Sequence, residues 1–275
     1  MDAVRRYPVE NIPIITLTTD FGNKDPLSAI MKGTIFSINP QAMIVDLTHE
    51  ISKYNVREAA LVIGMSYHEF PSRSIHIVVT DPGVGSSRRP ILVAIEDYYF
   101  IGPDNGVFSM IYNENERCKV FHLTAEHYFR RDRSATFHGR DIFAPVAAWL
   151  SKGIASDNFG EEITDFMKLR FPSPSMPTRT ALEGEVLYID TFGNAITNIK
   201  AEDLKTLQAQ KPDVSPRFMV KGKEIAFKQY YSQVEDRGLY ALINSMNYLE
   251  LFVYRGHASR EFGITVGDPM GVLLT

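Results

Sequence analysis

The sequence is poor in the features that build disulfide-stabilised, membrane-bound or exported proteins. It contains a single cysteine, Cys118, which excludes an intrachain disulfide framework and a cysteine-rich metal site. We expect Cys118 to be a packed small side chain rather than a nucleophile. No apolar run approaches the roughly 20 residues that a helix needs to span a bilayer, and residues 1–7 lack the apolar core of a secretory signal. These absences predict a cytoplasmic protein with no membrane partner.

An excess of positive charge is also missing. The formal net charge is −4, so the chain has no basic footprint and nucleic acid is not an expected partner. Hydrophobic residues make up 44 % of the sequence and charged residues 23 %, which is ordinary for a soluble globular protein. A length of 275 residues accommodates one large domain or two of moderate size.

What the first part of the chain does have is an alternation of strand-like and helix-like segments. Apolar, β-branched runs predict strands over 14–22, 42–51, 75–79, 91–95 and 98–101. Helical spacing of apolar residues predicts helices over 27–38, 56–67 and 142–150. Strands that alternate with helices in this way predict an α/β fold with a mainly parallel sheet.

The pattern changes near residue 170. Segment 170–178 contains three prolines in six residues, which cannot continue a helix and predict a stiff linker. Short strand-like runs separated by turn signals follow, and they predict a small antiparallel barrel or sandwich. The boundaries we predict are a mainly parallel α/β domain over 1–171, a linker over 172–180 and a mostly β domain over 181–275.

Polar side chains follow several of the predicted strands at the point where each strand ends. They are Asp20, His49, Asp81, Asp104 and Asn105. Because the carboxyl ends of parallel strands meet at one edge of a sheet, and ligands bind there in open α/β sheets, these residues predict a polar pocket. The alternative is that Asp and Asn occur here because they favour turns.

Asp81 is followed closely by two adjacent cations. The buried run 75–79 ends at Asp81-Pro82-Gly83, and Arg88 and Arg89 come later on the same loop, where either can return to the carboxylate. A surface ion pair would have the same pattern. His138 precedes the predicted helix over 142–150, and the histidines show no metal-binding spacing, so we predict no metal.

The second domain has its own polar signature, Asp190-Thr191-Phe192-Gly193-Asn194. Hydrogen-bonding groups beside an aromatic face suit a flat heterocycle with polar edges. A hairpin turn with a packed phenylalanine would have the same sequence.

Several motifs, taken together and in order, resemble one family. They are Thr18-Thr19-Asp20-Phe21-Gly22, Val45-Asp46-Leu47-Thr48-His49, Asp81-Pro82-Gly83-Val84-Gly85, Gly102-Pro103-Asp104-Asn105-Gly106, Phe137-His138-Gly139-Arg140-Asp141, Asp190-Thr191-Phe192-Gly193-Asn194 and Asn244-Ser245. This set resembles the S-adenosyl-L-methionine (SAM) hydroxide adenosyltransferases, or SAM hydrolases, which are related to the fluorinating and chlorinating adenosyltransferases. The resemblance implies a larger α/β domain, a smaller antiparallel β-barrel domain, and a homotrimer with active sites between subunits.

The resemblance also implies a reaction. Hydroxide from water displaces methionine at the ribose C5′ of SAM, which gives adenosine and L-methionine, and SAM is the substrate rather than a cofactor, so no cofactor is expected. The family's Asp–Arg–His triad corresponds to Asp81, Arg88 and His138, with Arg89 as an adjacent alternative to Arg88. A positive charge lowers the pKa of a nearby water, while Asp81 or His138 can accept a proton or orient that water. The sequence does not decide which of the two is the base.

The family's substrate-binding residues correspond to a wider set. By resemblance, Asp20 holds the ribose hydroxyls, Asp25 lies near the ribose and methionine, and Tyr54 and Phe137 line the ribose pocket. Asp190 pairs with the methionine ammonium group and Ser245 helps to hold its carboxylate. Asn194 and Phe192 recognise adenine, Ala258 offers it backbone groups, and Tyr230 or Tyr231 adds an aromatic surface.

Two departures bear on the choice of nucleophile and on methionine binding. Gly139 stands where the fluorinating relatives have serine, and Met246 replaces a residue that is basic there. The first departure, with Arg88 and His138, favours water over halide. A chlorinase-like halogenase and a non-catalytic SAM or adenosine sensor are the alternatives.

Overall fold

The computed structural model describes residues 14–115 and 117–275, and its chain divides into two compact units, Met1–Arg170 and Phe171–Thr275. The first unit has the predicted α/β architecture and the second is a closed β-barrel. The predicted fold class is therefore confirmed. No helix in the described ranges has the length and apolarity to cross a membrane.

The first unit contains one mixed sheet with helices on both faces. Its strands are β1 (Ile14–Thr19), β2 (Met43–Thr48), β3 (Ile75–Val79), β4 (Pro90–Ala94), β5 (Tyr99–Pro103), β6 (Lys119–His122) and β7 (Glu162–Ile163). Its α-helices are α1 (Leu27–Ile38), α2 (Val56–Ser66), α3 (Ser109–Glu114) and α4 (Ala144–Ser151). The strand order is β2-β1-β3-β5-β4-β6-β7.

Parallel pairing holds only in one part of this sheet. Strands β2, β1, β3 and β5 are parallel, whereas β4, β6 and β7 are antiparallel to their neighbours. Only four residues connect β4 to β5, and a connection that short joins antiparallel strands, because a parallel crossover needs a dozen or more residues. The strands whose ends carry Asp20, His49, Asp81 and Asp104 all belong to the parallel part.

The two faces of the sheet pack against different helices. Ile77 of β3 lies in a core with Met31 of α1 and Val146 of α4, while Val78 packs with Ile63 of α2 on the other face. Neighbouring residues of a strand point to opposite faces, so a strand buried on both sides reads as a continuous apolar run. The observed run Ile75–Val79 has that form and is buried throughout.

The second unit is a barrel with a short helix at each of two connections. Its strands are β8 (Ser175–Thr178), β9 (Ala181–Ile189), β10 (Ala195–Lys200), β11 (Arg217–Val220), β12 (Lys223–Phe227), β13 (Leu239–Ile243), β14 (Tyr248–Val253) and β15 (Pro269–Leu273). Its helices are α5 (Ala201–Gln208) and α6 (Ala258–Phe262). The order β10-β14-β13-β12-β11-β15-β9 closes on itself through pairing of β9 with β10, and β8 adds to β9.

The proline-rich segment differs from the linker predicted over 172–180. Ser175 and Thr178 pair with Glu183 and Ala181 of β9, so part of the segment is an edge strand of the second unit. An edge position tolerates Pro177 because proline lacks an N–H to donate.

Candidate active site

The first unit has a cavity of about 570 Å³ at the carboxyl ends of β1 and β3, which we call the first cavity. Its lining residues come from strand-exit loops and from the segment before α4, and they are Asp20, Phe21, Asp25, Leu27, Lys53, Tyr54, Val79, Asp81, Val84, Ser134, Thr136, Phe137, Gly139 and Arg140. Five of the predicted site residues are therefore brought together here: Asp20, Asp25, Tyr54, Asp81 and Phe137.

Asp81, Arg88 and His138 form one connected group. Arg88 Nε donates to Asp81 Oδ1 at 3.0 Å, and Arg88 Nη2 donates to Asp81 Oδ2. The same Nη2 lies 2.7 Å from His138 Nδ1. Asp81 lines the cavity, whereas Arg88 and His138 are behind it and outside the lining set. The carboxylate is thus fixed by a bidentate guanidinium, the strongest common geometry for this pair.

The Arg88 guanidinium is held away from solvent. Its side chain is 9 % exposed, and its Cζ lies 5.5 Å from the centre of the Phe143 ring. Its third nitrogen, Nη1, is buried and has no hydrogen-bond acceptor among the residues that the structure describes. A buried donor without an acceptor is costly, so the position of Arg88 is maintained by its contacts with Asp81 and His138 at the expense of Nη1.

The Arg88 contact also fixes the state of His138. A guanidinium only donates hydrogen bonds, so His138 Nδ1 accepts and the proton of the neutral ring is on Nε2. Burial and the positive charge of Arg88 lower the pKa of His138 from its usual 6.5. His138 is therefore a neutral acceptor that orients Arg88, rather than a second cation in the group.

Arg88 and Arg89 have different partners although they are adjacent. Arg89 Nη2 donates to Asp104 Oδ2 at 2.7 Å, and Arg89 Nη1 donates to Asp165 Oδ1 at 2.8 Å. Asp104 also accepts from the backbone N–H of Met167 at 2.7 Å. This second network holds the segment after β7 to the sheet and does not reach Asp81.

Asp20 is fixed by the loop that carries Tyr54. Its carboxylate is buried and accepts from the backbone N–H of Tyr54 at 2.9 Å, and its carbonyl accepts from Lys53 Nζ. Tyr54 has a φ of 65°, an uncommon conformation for a bulky residue that marks strained functional positions. The ring of Tyr54 is 72 % exposed at the cavity rim.

The segment that leads into α4 forms another part of the lining of the first cavity. Residues Gly139–Phe143 form a single π-helical turn, a feature frequent at functional sites. The Phe137 ring packs edge-on against Phe21, with centres 5.9 Å apart. A Cβ on Gly139 would meet Met31 Sδ at 3.0 Å, so a serine at this position would require Met31 to move.

The remaining strand-exit residues do not line the cavity. Asp104 pairs with Arg89, and Asn105 Nδ2 donates to the Thr80 carbonyl at 2.9 Å. His49 Nδ1 lies 2.8 Å from Thr19 Oγ1, directly before Asp20. The predicted pocket therefore exists with two of the three aspartates, and the other polar residues stabilise the loops behind it.

The second unit has a cavity of about 450 Å³ on the outer face of the barrel, which we call the second cavity. Its lining residues come from β9, β10, β14 and the loops beside them, and they are Tyr188, Asp190, Phe192, Asn194, Ile196, Tyr231, Asn244, Ser245, Met246, Glu250, Val253, Tyr254, Arg255 and Gly256. The predicted residues Asp190, Phe192, Asn194 and Ser245 are brought together here.

The Asp190 turn presents polar groups beside an exposed ring. Asp190 Oδ1 accepts from the backbone N–H of Asn194 at 2.8 Å, and the Asn194 side chain donates to Asp190 Oδ2 at 3.3 Å. Gly193 has a φ of 83°, and a Cβ there would lie 2.0 Å from His257 Nδ1, so only glycine fits. Phe192 is 75 % exposed and not packed as an ordinary turn residue.

Two predicted positions are placed differently, and two charged residues that line the second cavity, Glu250 and Arg255, were not predicted. Tyr231, not Tyr230, lines the second cavity, and Ala258 is buried at the start of α6 outside the lining set. The sequence reasoning missed Glu250, a carboxylate that is only 3 % exposed. The sequence does contain a pattern that could have identified Glu250, since it is the single acidic residue within the otherwise apolar run 248–254.

Metal ligands are not grouped in either cavity. Across residues 14–115 and 117–275, no cluster of three or more His, Cys, Asp or Glu side chains is arranged to hold an ion.

Comparison with known proteins places both units in one family. The SAM hydroxide adenosyltransferase N-terminal domain matches residues 15–160, and the corresponding C-terminal domain matches residues 184–271. The chain belongs to the SAM hydroxide adenosyltransferase family. The resemblance drawn from the ordered motifs is thereby confirmed.

Proteins similar to this chain include a SAM hydrolase, a fluorinase and a protein of known structure. A protein of Methanocaldococcus jannaschii named (R)-S-adenosyl-L-methionine hydrolase is 32 % identical over 273 residues, which is 95 % of this chain and 96 % of the relative. A fluorinase of an Actinoplanes species is 27 % identical and covers 72 % of this chain and 75 % of its own. The crystal structure of an uncharacterised conserved protein from Thermotoga maritima superposes with a TM-score of 0.86, at 34 % identity, over 94 % of this chain and 99 % of that one.

Proposed function

We propose that this protein is an enzyme that hydrolyses SAM to adenosine and L-methionine. A water oxygen forms a bond to the ribose C5′, the C5′–S bond breaks with its electron pair going to sulfur, and the water releases one proton to solvent. The observation that carries this proposal is the Asp81–Arg88–His138 group at the first cavity. It is supported by two relatives named (R)-S-adenosyl-L-methionine hydrolase, which are 32 % and 30 % identical to this chain over 95 % and 93 % of its length. The sulfonium is already a good leaving group, so the enzyme's task is to deliver hydroxide in line with the C5′–S bond.

Asp81 is the member of the group that meets the water, because it alone lines the cavity. Its oxygens retain acceptor capacity beyond the two Arg88 contacts and orient the water. Arg88, held against Asp81 by two hydrogen bonds, stabilises the developing hydroxide with a charge that burial protects from screening. His138 holds Arg88 in this orientation through Nδ1.

The substrate's parts match the two cavities by their chemistry. Asp20, in the first cavity, suits the two ribose hydroxyls, with Asp25, Tyr54 and Phe137 around the sugar. In the second cavity, Phe192 offers adenine a face and Asn194 offers its edge an amide. Asp190 suits the methionine ammonium group, and Ser245 suits its carboxylate.

Arg255 compensates for the cation that Met246 does not supply. It is the cationic side chain in the lining of the second cavity, and its φ of 50° is a strained conformation for a residue with a side chain. We therefore assign the methionine carboxylate to Ser245 and Arg255 together.

Neither cavity holds a complete site, and we infer a homotrimer in which the first cavity of one subunit and the second cavity of another form the active site. The first cavity has groups for water and ribose, whereas the second has groups for adenine and methionine. Analytical ultracentrifugation tests the trimer, and mixing an Arg88 variant with an Asp190 variant tests the shared site, since some mixed trimers would regain one intact site.

We also propose that the protein acts in the cytoplasm, because SAM is an intracellular metabolite.

The test is chromatography of SAM incubated with a small amount of purified protein, with and without chloride. Adenosine and methionine formed in excess over the protein, and independent of chloride, support the proposal. 5′-Chloroadenosine would make the protein a halogenase, and unchanged SAM with measurable binding would make it a sensor.

A further inference from the structure

Glu250 lies on the outer face of the barrel, not in its core. Its neighbours in β14, Leu249 and Leu251, point inward and pack in the barrel core. Successive residues of a strand point to opposite faces, so Glu250 and Phe252 point outward. Glu250 pairs across the sheet with Ile196 of β10, which also lines the second cavity.

A loop covers this outer face. Residues 228–238, which we call the strap, pass over β14, and Val234 of the strap packs with Leu242 and Phe252. The Tyr231 ring meets Phe252 edge-on with centres 5.1 Å apart. The strap therefore reduces the exposure of Glu250 to 3 % while leaving it in the cavity lining.

The partners of Glu250 are all neutral. Tyr231 Oη donates to Oε1 at 2.7 Å and Asn244 Nδ2 donates to Oε2 at 3.0 Å. Asp190, which lines the same cavity, is the second carboxylate near it, and burial and Asp190 both raise the pKa of Glu250. Within the described part of the chain, neither acid has an ion pair with Lys or Arg.

A buried carboxylate without a cation is costly, and buried charges are normally paired. The free-energy cost of burying the carboxylate is offset when a ligand supplies the cation. We propose that Glu250 is a second carboxylate for the ammonium group of the amino-acid substrate, acting beside Asp190, with Tyr231 as the residue that positions it. The proposal rests on the proposed function, since it takes the amino-acid end of SAM to be the ligand of the second cavity.

An ammonium group offers three donors, which two carboxylates satisfy better than one. Asn194 already donates one hydrogen bond to each carboxylate oxygen of Asp190. A further carboxylate on the β14 side would therefore supply acceptors for the ammonium group that Asp190 alone cannot. The Asn244 contact comes from the turn that also carries Ser245, so ammonium and carboxylate recognition would lie side by side. That arrangement fits an α-amino acid rather than an amine or an acid alone.

The experiment compares two ligands by calorimetry on adenosine-saturated protein: L-methionine and 4-(methylthio)butanoate, which lacks the amine. For Glu250→Gln we expect methionine to bind about 10- to 100-fold more weakly, the range for a lost charged hydrogen bond. The affinity for the amine-free ligand should change by less than about twofold. Glu224→Gln is the matched control, since Glu224 is exposed in the same unit and pairs with Arg217, and it should change neither affinity.

Tyr231→Phe is a second variant that retains the ring and removes the hydroxyl. It should weaken methionine binding about threefold to tenfold without affecting the amine-free ligand. Equal losses for the two ligands, unchanged methionine binding in both variants, or no methionine binding by the wild type would each overturn the proposal. The proposed function fails separately, if the wild type discriminates the ligands but does not consume SAM.

Discussion

The carboxylates of the two cavities differ in whether a cationic side chain of the same unit pairs with them. In the first cavity the Asp81 carboxylate is compensated within the unit by Arg88, which in turn is oriented by His138. In the second cavity Asp190 and Glu250 are met only by neutral donors. A charged group that already has its partner before the ligand arrives is preorganised for chemistry. Two acids without a cationic partner are instead suited to binding a cationic ligand. Changes to the Asp81–Arg88–His138 group should therefore lower kcat, and changes to Asp190 or Glu250 should raise KM.

The largest effect is expected at Arg88. Arg88→Lys keeps a positive charge but cannot hold Asp81 with two parallel hydrogen bonds and reach His138 at once. We expect kcat for SAM hydrolysis to fall about 100- to 1,000-fold, as for a lost electrostatic group, with KM little changed. Steady-state kinetics measures both constants.

Arg89→Lys is the control for that change, because Arg89 is adjacent but pairs with Asp104 and Asp165. It should lower the unfolding temperature and leave kcat within about threefold of wild type. Equal losses of kcat in the two variants would contradict the assignment of separate roles.

Substitution of His138 should have the next largest effect on kcat, and His138 should also make the kcat of the wild type depend on pH. His138→Ala should lower kcat about 100-fold, since Arg88 loses its acceptor. In the wild type we expect kcat to be flat above about pH 6.5 and to fall below it, because protonation of His138 removes that acceptor. Burial and Arg88 lower this pKa, so the midpoint lies below the usual value.

The same shift makes folding depend on pH. The unfolded chain binds a proton at His138 before the folded protein does, so the free energy of unfolding decreases as pH falls below about 6.5. For kcat, a midpoint above the ordinary histidine pKa would show that another group controls its dependence on pH. A decrease in kcat at low pH that persists in His138→Ala would show the same.

Asp20 tests binding within the first cavity. Asp20→Asn keeps the shape and the acceptor for Tyr54 N–H but removes the charge that suits two hydroxyl donors. Adenosine should bind about tenfold more weakly, as measured by calorimetry, while 2′,3′-dideoxyadenosine should be unaffected. A loss of equal size for the dideoxy ligand would remove Asp20 from ribose recognition.

The smallest effect is expected at Arg255, which is exposed. Exposed ion pairs contribute up to about 1 kcal/mol, so Arg255→Gln should raise KM for SAM by about threefold to fivefold. L-methioninol, which lacks the carboxylate, should bind wild type and variant equally. A change in methioninol binding would mean that Arg255 acts on the cavity's shape.

Local patterns predicted the elements well and the contacts between them less well. The observed α1, Leu27–Ile38, has the predicted bounds, because apolar spacing and Pro40 mark both. The direction of β4 was not predicted, since apolar content does not distinguish a parallel from an antiparallel neighbour. Asp20 and Asp81 both line the first cavity, because each follows one of the parallel strands.

Choices between adjacent residues depended on the structure. Arg88 and Arg89 both follow Asp81 on one loop, and only the folded loop shows that Arg88 turns back to it. Tyr230 is extended and Tyr231 begins a 3₁₀ turn, so only Tyr231 reaches the cavity. Glu250 was missed because its partner Tyr231 lies 19 residues away along the chain, in a loop with no pattern of its own.

The most direct test of hydroxide transfer to C5′ is SAM turnover in H₂¹⁸O, with mass spectrometry of the nucleoside product. Attack of water at C5′ predicts adenosine that carries ¹⁸O at the 5′ oxygen and unlabelled L-methionine. Adenosine without the label, or a product other than adenosine, would contradict the account.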